Sequence, residues 1–514
     1  MKPAVGRQRK TRRDEQMQEC LADTIKPYLN RINAIRTAMT LIEWDNETGA
    51  PKGAAEYTAN VQGVLAAEYQ RAVLEPDFVK LARRLKEDKS AEEAWRAMGR
   101  ILDKEISKLE KIPIEEYENY NRILAQAAGV WQKAKKENDY GTFAPYLELI
   151  IEYGKKFAAL QAKEGQKLYD VMLEEFEEGF TMEVLDSFFA ALKEKIVPLL
   201  KKVQAAPQID AAFLHRKYDR EKQKEFCLWL AEYLDFDSDR GLILESEHPF
   251  TTNLHNHDVR MTTHYYEDAP DSAIFSLIHE TGHALYEQDI DDELTQTPVG
   301  GGSSMGMHES QSRFYENILG RSEAFWAPVY QKLTELFPEQ LGDVTLCQFI
   351  RGINRSEPGL IRTEADELTY CLHIMVRYEI EKMIFEENVN VDKLPGIWAD
   401  KYEEYLGIRP ENDAEGILQD IHWANGSFGY FPSYALGTAI SAQIYHQMCK
   451  DLPVEALLRE GKLDQIHGYL KEKLHHFGAV KKTGDILKEF CGEGFNPEYY
   501  TEYLERKFTE LYGV

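Results

Sequence analysis

Apolar residues recur at i, i+3, i+4 and i+7 along most of the chain, with charged residues on the opposite face. The runs GTFAPYLELIIEYGKKFAALQAKEGQKLYDVMLEEF (141–176) and TMEVLDSFFAALKEKIVPLLKKVQ (181–204) carry this period most plainly. Prolines are few and are expected at the ends of such runs, where a helix tolerates them. No fixed-period repeat and no low-complexity linker interrupts the pattern, so one helical unit is expected over 14–514. A single stretch departs from it. RGLILESEHPFTTNLHNHDVRMTTHYY (240–266) is rich in Thr, Val, Ile, His and Tyr and alternates locally, which predicts a small antiparallel sheet of two or three strands. The fold class expected is mainly α with one small sheet.

One predicted helix conflicts with its own contents. APDSAIFSLIHETGHALYEQ (269–288) starts at Pro270 and Asp271, with Asp271 or Ser272 available as a cap, and is apolar over most of its circumference. Such a helix is buried, yet it holds His279, Glu280 and His283. Buried ionisable groups are costly unless they are paired or bind a metal. At about 100° per residue, His279 and His283 share one face and Glu280 lies about a quarter turn away. The spacing is H-E-x-x-H, in which two imidazoles hold one ion and the glutamate takes a proton from the attacking water.

A catalytic metal of this kind takes a third protein ligand and leaves one position open. Downstream, GGGSSMGMHESQSRFYENILG (300–320) runs from a glycine segment, read as a hinge or substrate-facing loop, into a second helix. His308 and Glu309 sit in its first turns, and by chemistry alone either can complete the site. Seven of the fourteen histidines fall between His248 and His308, which locates the chemistry in this part of the chain.

Charge and cysteine usage narrow the function classes. The formal net charge is −27 over 514 residues, which repels phosphate backbones and anionic lipid, so neither nucleic acid nor a membrane surface is an expected partner. The six cysteines are scattered without a CxxC pair, as expected for reduced thiols in a cytoplasmic protein. The basic start MKPAVGRQRKTRR (1–13) is followed by no apolar segment, so it is expected to be a disordered tail rather than a secretory signal.

Several motifs in order resemble the carboxypeptidase Taq family of metal-dependent carboxypeptidases. They are LIEWDNETGAPKGAAEY (41–57), HPF (248–250), DVRMT (258–262), HETGH (279–283), HESQ (308–311), IRTEAD (361–366), GILQDIHW (416–423) and GYFPSY (429–434). The resemblance covers nearly the whole chain beyond the first thirty residues. It implies His279, His283 and Glu309 as metal ligands and Glu280 as general base and acid. It also implies one divalent metal per chain (zinc first, cobalt or manganese as alternatives), a deep groove between two helical lobes with the small sheet beside the site, and a homodimer. Ala424 stands where the family commonly has Ser, and His264 where it often has Arg.

The expected function is removal of single residues from peptides with a free C-terminus. That activity calls for a cation to hold the terminal carboxylate, a task suited to the forked donors of Arg. Arg362 is the expected anchor, oriented by Asp366 one turn later on the same helical face. His422 and Tyr434 are expected to stabilise the oxyanion. Tyr430 and His248 are expected to bind substrate. Asp258 and Arg260 are expected as a buried pair bracing the site, with Asp420 in similar support. The rival readings are a helical metallo-oligopeptidase that cuts internally and a non-catalytic, metal-stabilised peptide-binding protein.

Overall fold

The computed structural model describes residues 12–514. Residues 1–11, most of the expected basic tail, lie outside the described residues, and the first helix spans Arg12–Thr48. Helices dominate the fold, as the periodicity predicts. Two apolar clusters form most of the core. The smaller takes Leu21, Ile25, Leu29 and Ile32, one stripe of the first helix, and packs them on Phe78, Ala82, Leu85, Leu102 and Ile106. The larger draws buried residues from Ala127 to Tyr512 and includes the apolar face of the helix Pro270–Gln288.

The run at 141–176 is two helices, Tyr140–Gln161 and Leu168–Phe176. They are separated by a turn in which Gly165 adopts φ +78°, a conformation that favours glycine. Proline placement departs from expectation: Pro27, Pro145, Pro198 and Pro328 all lie inside helices. Each forgoes one backbone hydrogen bond, and the strong apolar stripes of these helices hold them through it. The five cysteines whose side chains are described are free. Among the described residues no helix is long and apolar enough to cross a membrane.

The sheet has three strands, β1 (Gly241–Glu245), β2 (Thr251–His255) and β3 (Asp258–Thr263), in the order β1-β3-β2. It is mixed rather than wholly antiparallel: β3 runs antiparallel to β2 but parallel to β1. The cause is the tight turn at Asn256 and His257, which folds β3 back between the two earlier strands. Val259 and Met261 point inward and are fully buried. Two threonines bond the sheet to the helix Pro270–Gln288, Thr263 Oγ1 to the Ala273 carbonyl (3.2 Å) and Thr251 Oγ1 to the Glu280 carbonyl (3.2 Å). This contact sets the sheet against the histidine-bearing turn.

Candidate active site

The helix Pro270–Gln288 opens with Pro270 in its first turn behind Ala269, and no side chain caps it. One turn apart on it, His279 and His283 direct Nε2 to the same Glu309 oxygen, Oε2, at 3.6 and 3.5 Å. Tetrahedral bonds of about 2.0–2.1 Å place neighbouring ligand atoms about 3.3–3.4 Å apart, so these three donors are spaced for a divalent cation. Glu309 comes from the helix Met305–Arg313, whose cap Ser304 accepts from the Met307 N–H (3.1 Å).

That short helix is held between two glycines. A Cβ at Gly282 would lie 2.6 Å from the Gln311 carbonyl oxygen and 2.7 Å from Ser312 Cα. On the other side, a Cβ at Gly437, in the helix Phe431–Asp451, would lie 2.5 Å from Glu309 Cβ. Neither glycine was expected from the sequence to matter. Their one signal is glycine inside a helical pattern, a costly choice without a packing reason.

Behind these three donors stands a second tier. His279 Nδ1 lies 2.8 Å from Glu316 Oε2, which also accepts from Arg313 (3.2 Å). His283 Nδ1 lies 2.6 Å from His308 Nδ1, and His308 Nε2 lies 2.6 Å from Glu287 Oε1. Glu287 accepts in turn from the Gly302 N–H (3.1 Å) and from Asn253. His308 therefore stands behind His283, while Glu309 faces both His279 and His283. The expected glycine hinge is pinned here, since a Cβ at Gly302 would meet His308 Cδ2 at 2.6 Å. Burial would raise the Glu309 carboxyl, but Arg313 and the two histidines outweigh it and hold it well below the usual range. Burial pushes His283 down to about 3, leaving a neutral imidazole suited to ligation.

Glu280 is buried beside this cluster, and its Oε2 accepts from Thr251 Oγ1 at 2.6 Å. Burial raises its carboxyl, moving it toward the range in which a general base works near neutrality.

Arg362 occupies a short turn, Arg362–Glu364, and is buried. Its partner is Asp420, not Asp366: Nε and Nη2 donate to Asp420 Oδ1 at 3.0 and 2.8 Å. The chain does not continue as a helix after Glu364, so positions 362 and 366 share no helical face. Asp366 instead accepts from Ser356 Oγ (2.9 Å) and from the Leu368 and Thr369 N–H groups (2.9 and 3.1 Å). The other Asp420 oxygen takes Arg377 Nε at 2.7 Å. Two buried arginines thus share one carboxylate, which alone cannot neutralise both.

Around this pair the structure gathers His422, Tyr430 and Tyr434. The Arg362 guanidinium lies 5.0 Å from the Tyr434 ring. His422 Nε2 lies 3.3 Å from the Tyr434 hydroxyl, and its Nδ1 is buried without a hydrogen-bond partner among the described residues. Burial pushes His422 down to about 4 despite the nearby Asp420. Glu381, unforeseen in the sequence, holds the loop at both ends of this group by accepting from Trp423 Nε1 (2.7 Å) and the Gly429 N–H (2.8 Å).

His248 is not drawn into that group. It is exposed between β1 and β2, three residues ahead of Thr251. Asp258 and Arg260 do pair, at 2.7 and 2.8 Å, but remain partly exposed. The strand alternation puts them on the face opposite Val259 and Met261, toward Trp44, whose ring lies 5.8 Å from the Arg260 guanidinium.

A second buried cluster lies at the end of the helix Pro270–Gln288. His467 Nε2 and His475 Nδ1 lie 2.7 and 2.8 Å from Asp289 Oδ2. These are hydrogen-bond separations, shorter than a cation's ligands would keep. Lys471 Nζ lies 3.0 Å from Asp289 Oδ1, and His467 Nδ1 lies 2.5 Å from Asp235. We read this as a proton-linked ion cluster. Burial would lower His467, but the hydrogen bonds and charges of Asp235 and Asp289 prevail and push it up to about 9. A proton held more tightly in the folded chain stabilises the fold below the unfolded value of about 6.5, and that contribution is lost as pH rises through about 9. Denaturant titrations from pH 6.5 to 9 should therefore show stability falling by about 1–3 kcal/mol, with the decline reduced in His467→Gln.

Comparison with known proteins bears on this geometry. The model of the carboxypeptidase Taq (M32) metallopeptidase family matches residues 24–508. The chain is 45% identical over 488 residues to carboxypeptidase 1 of Bacillus subtilis, covering 94% of this chain and 97% of that one. It is 36% identical to thermostable carboxypeptidase 1 of Pyrococcus furiosus, covering 95% and 98%. The crystal structure of the M32 carboxypeptidase from Deinococcus radiodurans R1 superposes with a TM-score of 0.93 at 34% identity, covering 96% of this chain and 100% of that one. Metallocarboxypeptidase 1 of Trypanosoma cruzi does so with a TM-score of 0.90 at 31% identity, covering 95% and 99%.

Proposed function

From the premise that the chain belongs to the carboxypeptidase Taq (M32) metallopeptidase family, we propose a division of labour for a metal-dependent carboxypeptidase that releases single C-terminal residues from peptides. The observation that carries it is the convergence of His279, His283 and Glu309 at cation-ligand spacing, with Glu280 alongside. His279, His283 and Glu309 would hold a divalent cation, zinc by the His and carboxylate donor set, and such an ion when bound would supply Lewis-acid polarisation of a carbonyl and a more acidic water. Glu280 accepts the proton of the attacking water and returns it to the leaving amine. Neutral His422 keeps one N–H, and with the Tyr434 hydroxyl it donates to the carbonyl oxygen as charge develops there. Arg362, whose charge Asp420 only half neutralises, pairs with the terminal carboxylate. Tyr430 packs against Tyr434 at 5.3 Å and lines the same subsite. His248, at the sheet edge, is assigned to more distant parts of the peptide.

The enzyme is further read as a cytoplasmic homodimer, on the scattered cysteines of its sequence and the habit of the family it resembles. Digestion of paired peptides, one a free acid and one a C-terminal amide, tests the specificity. A mass ladder from the free acids alone is expected. Equal cleavage of the amides, or release of internal fragments, would point to an oligopeptidase instead.

A further inference from the structure

Tyr370 presents a hydroxyl with an unused proton at the edge of the Arg362 subsite. The residue opens the helix Tyr370–Glu387 and is buried between two arginines. The Arg313 guanidinium lies 4.2 Å from its ring centroid, and Arg313 Nε donates to Glu309 Oε1 at 2.7 Å. The Tyr370 oxygen accepts from Arg362 Nη1 at 3.4 Å. The ring therefore lies between the metal-ligand carboxylate and the anchor arginine.

A phenol that accepts one hydrogen bond still has its own proton to donate. The hydrogen bonds of the described residues include no acceptor for it, although buried hydroxyls as a rule find one. Its surroundings favour an anion. Arg362 and Arg377 share the single carboxylate of Asp420, which alone cannot neutralise both guanidinium groups. Arg362 spends Nε and Nη2 on Asp420 and turns Nη1 toward Tyr370. A carboxylate suits both donors, since its two oxygens can accept from Nη1 and from the phenol while its charge pairs with the guanidinium.

We propose that Tyr370 is a substrate-binding residue whose hydroxyl donates to the terminal carboxylate alongside Arg362. The proposal rests on the carboxypeptidase reading above. It makes the anchor a guanidinium–phenol pair, in which the phenol fixes the carboxylate at the side nearest the metal ligands. A substrate lacking one carboxylate oxygen forfeits this bond as well as the ion pair.

Tyr370→Phe removes the hydroxyl and keeps the ring beneath Arg313. With N-acylated dipeptide free acids, KM is expected to rise about tenfold to a hundredfold, the worth of one hydrogen bond to a charged group. The turnover number should stay within about threefold, and metal content should be unchanged. Inhibition by N-acyl amino acids should weaken by the same factor as KM, and inhibition by the matching amides should not change. An unchanged KM, or a loss confined to turnover or metal content, would overturn the assignment. Cleavage of amides by the unmodified enzyme as fast as free acids would overturn the carboxypeptidase reading itself, and this proposal with it.

Discussion

Replacing Glu280 with glutamine is expected to lower kcat/KM for free-acid peptides by about a thousandfold to ten-thousandfold, the upper range for a positioned general base. Metal content should remain one ion per chain. The separation of the two effects follows from the site. His279, His283 and Glu309 supply the converging ligand atoms, and Glu280 is not among them. Glutamine has the same shape, and its amide oxygen can still accept from Thr251 Oγ1, so the side chain should keep its place. It lacks the basicity to take a proton from water. Hydrolysis of a free-acid peptide and metal analysis on the same preparation decide the matter. Equal hydrolysis by both proteins would remove Glu280 from the mechanism, and an inert wild type that still binds metal would favour a binding protein.

The convergence of His279 and His283 was legible because one local rule fixes it: positions i and i+4 of a helix share a face whatever the rest of the chain does. Glu280 follows from the same rule. The choice between His308 and Glu309 could not be made that way, since it depends on how one helix crosses another. Their adjacency in sequence gives them different faces, and the crossing selects Glu309 for the cluster and His308 for the tier behind it. Arg362 was legible as a cation, but its partner was misread. Asp366 at four residues' distance suggested a helical pair, and the chain turns there instead. Asp420, fifty-eight residues away, is the true partner, and no local period could announce it. The sheet was foreseen from composition, whereas its mixed order depends on which strand the turn at Asn256 folds inward. What remained hidden was long-range contact: Glu381 beneath the His422 loop, and the two glycines that admit the helix bearing Glu309.

Those glycines lead to the second large effect. Gly282→Ala and Gly437→Ala should each cut kcat/KM by about a hundredfold or more, the expected cost of misplacing a reacting group by about 1 Å. The cause is steric. The helix Met305–Arg313 passes between them, and at either position a methyl group would stand 2.5–2.6 Å from atoms of that helix. Contacts this short are not relieved by a rotamer change, because the atoms met are backbone at Gln311 and Ser312 and the first side-chain carbons at Glu309. The helix must shift, and Glu309 Oε2 then leaves its place 3.5–3.6 Å from the two imidazole nitrogens. Overpacking of this kind also costs about 1–3 kcal/mol of stability, so metal affinity should be measured well below the melting temperature. Chelator competition on folded protein isolates the effect on the site: both variants should release metal to weaker chelators than the wild type does. Alanine outside the crossing, at Gly468, where a Cβ meets nothing within 4 Å, should change neither affinity nor activity. If Gly282→Ala and Gly437→Ala retain wild-type affinity, the close crossing does not govern where Glu309 stands, and the third ligand must be sought elsewhere in the chain.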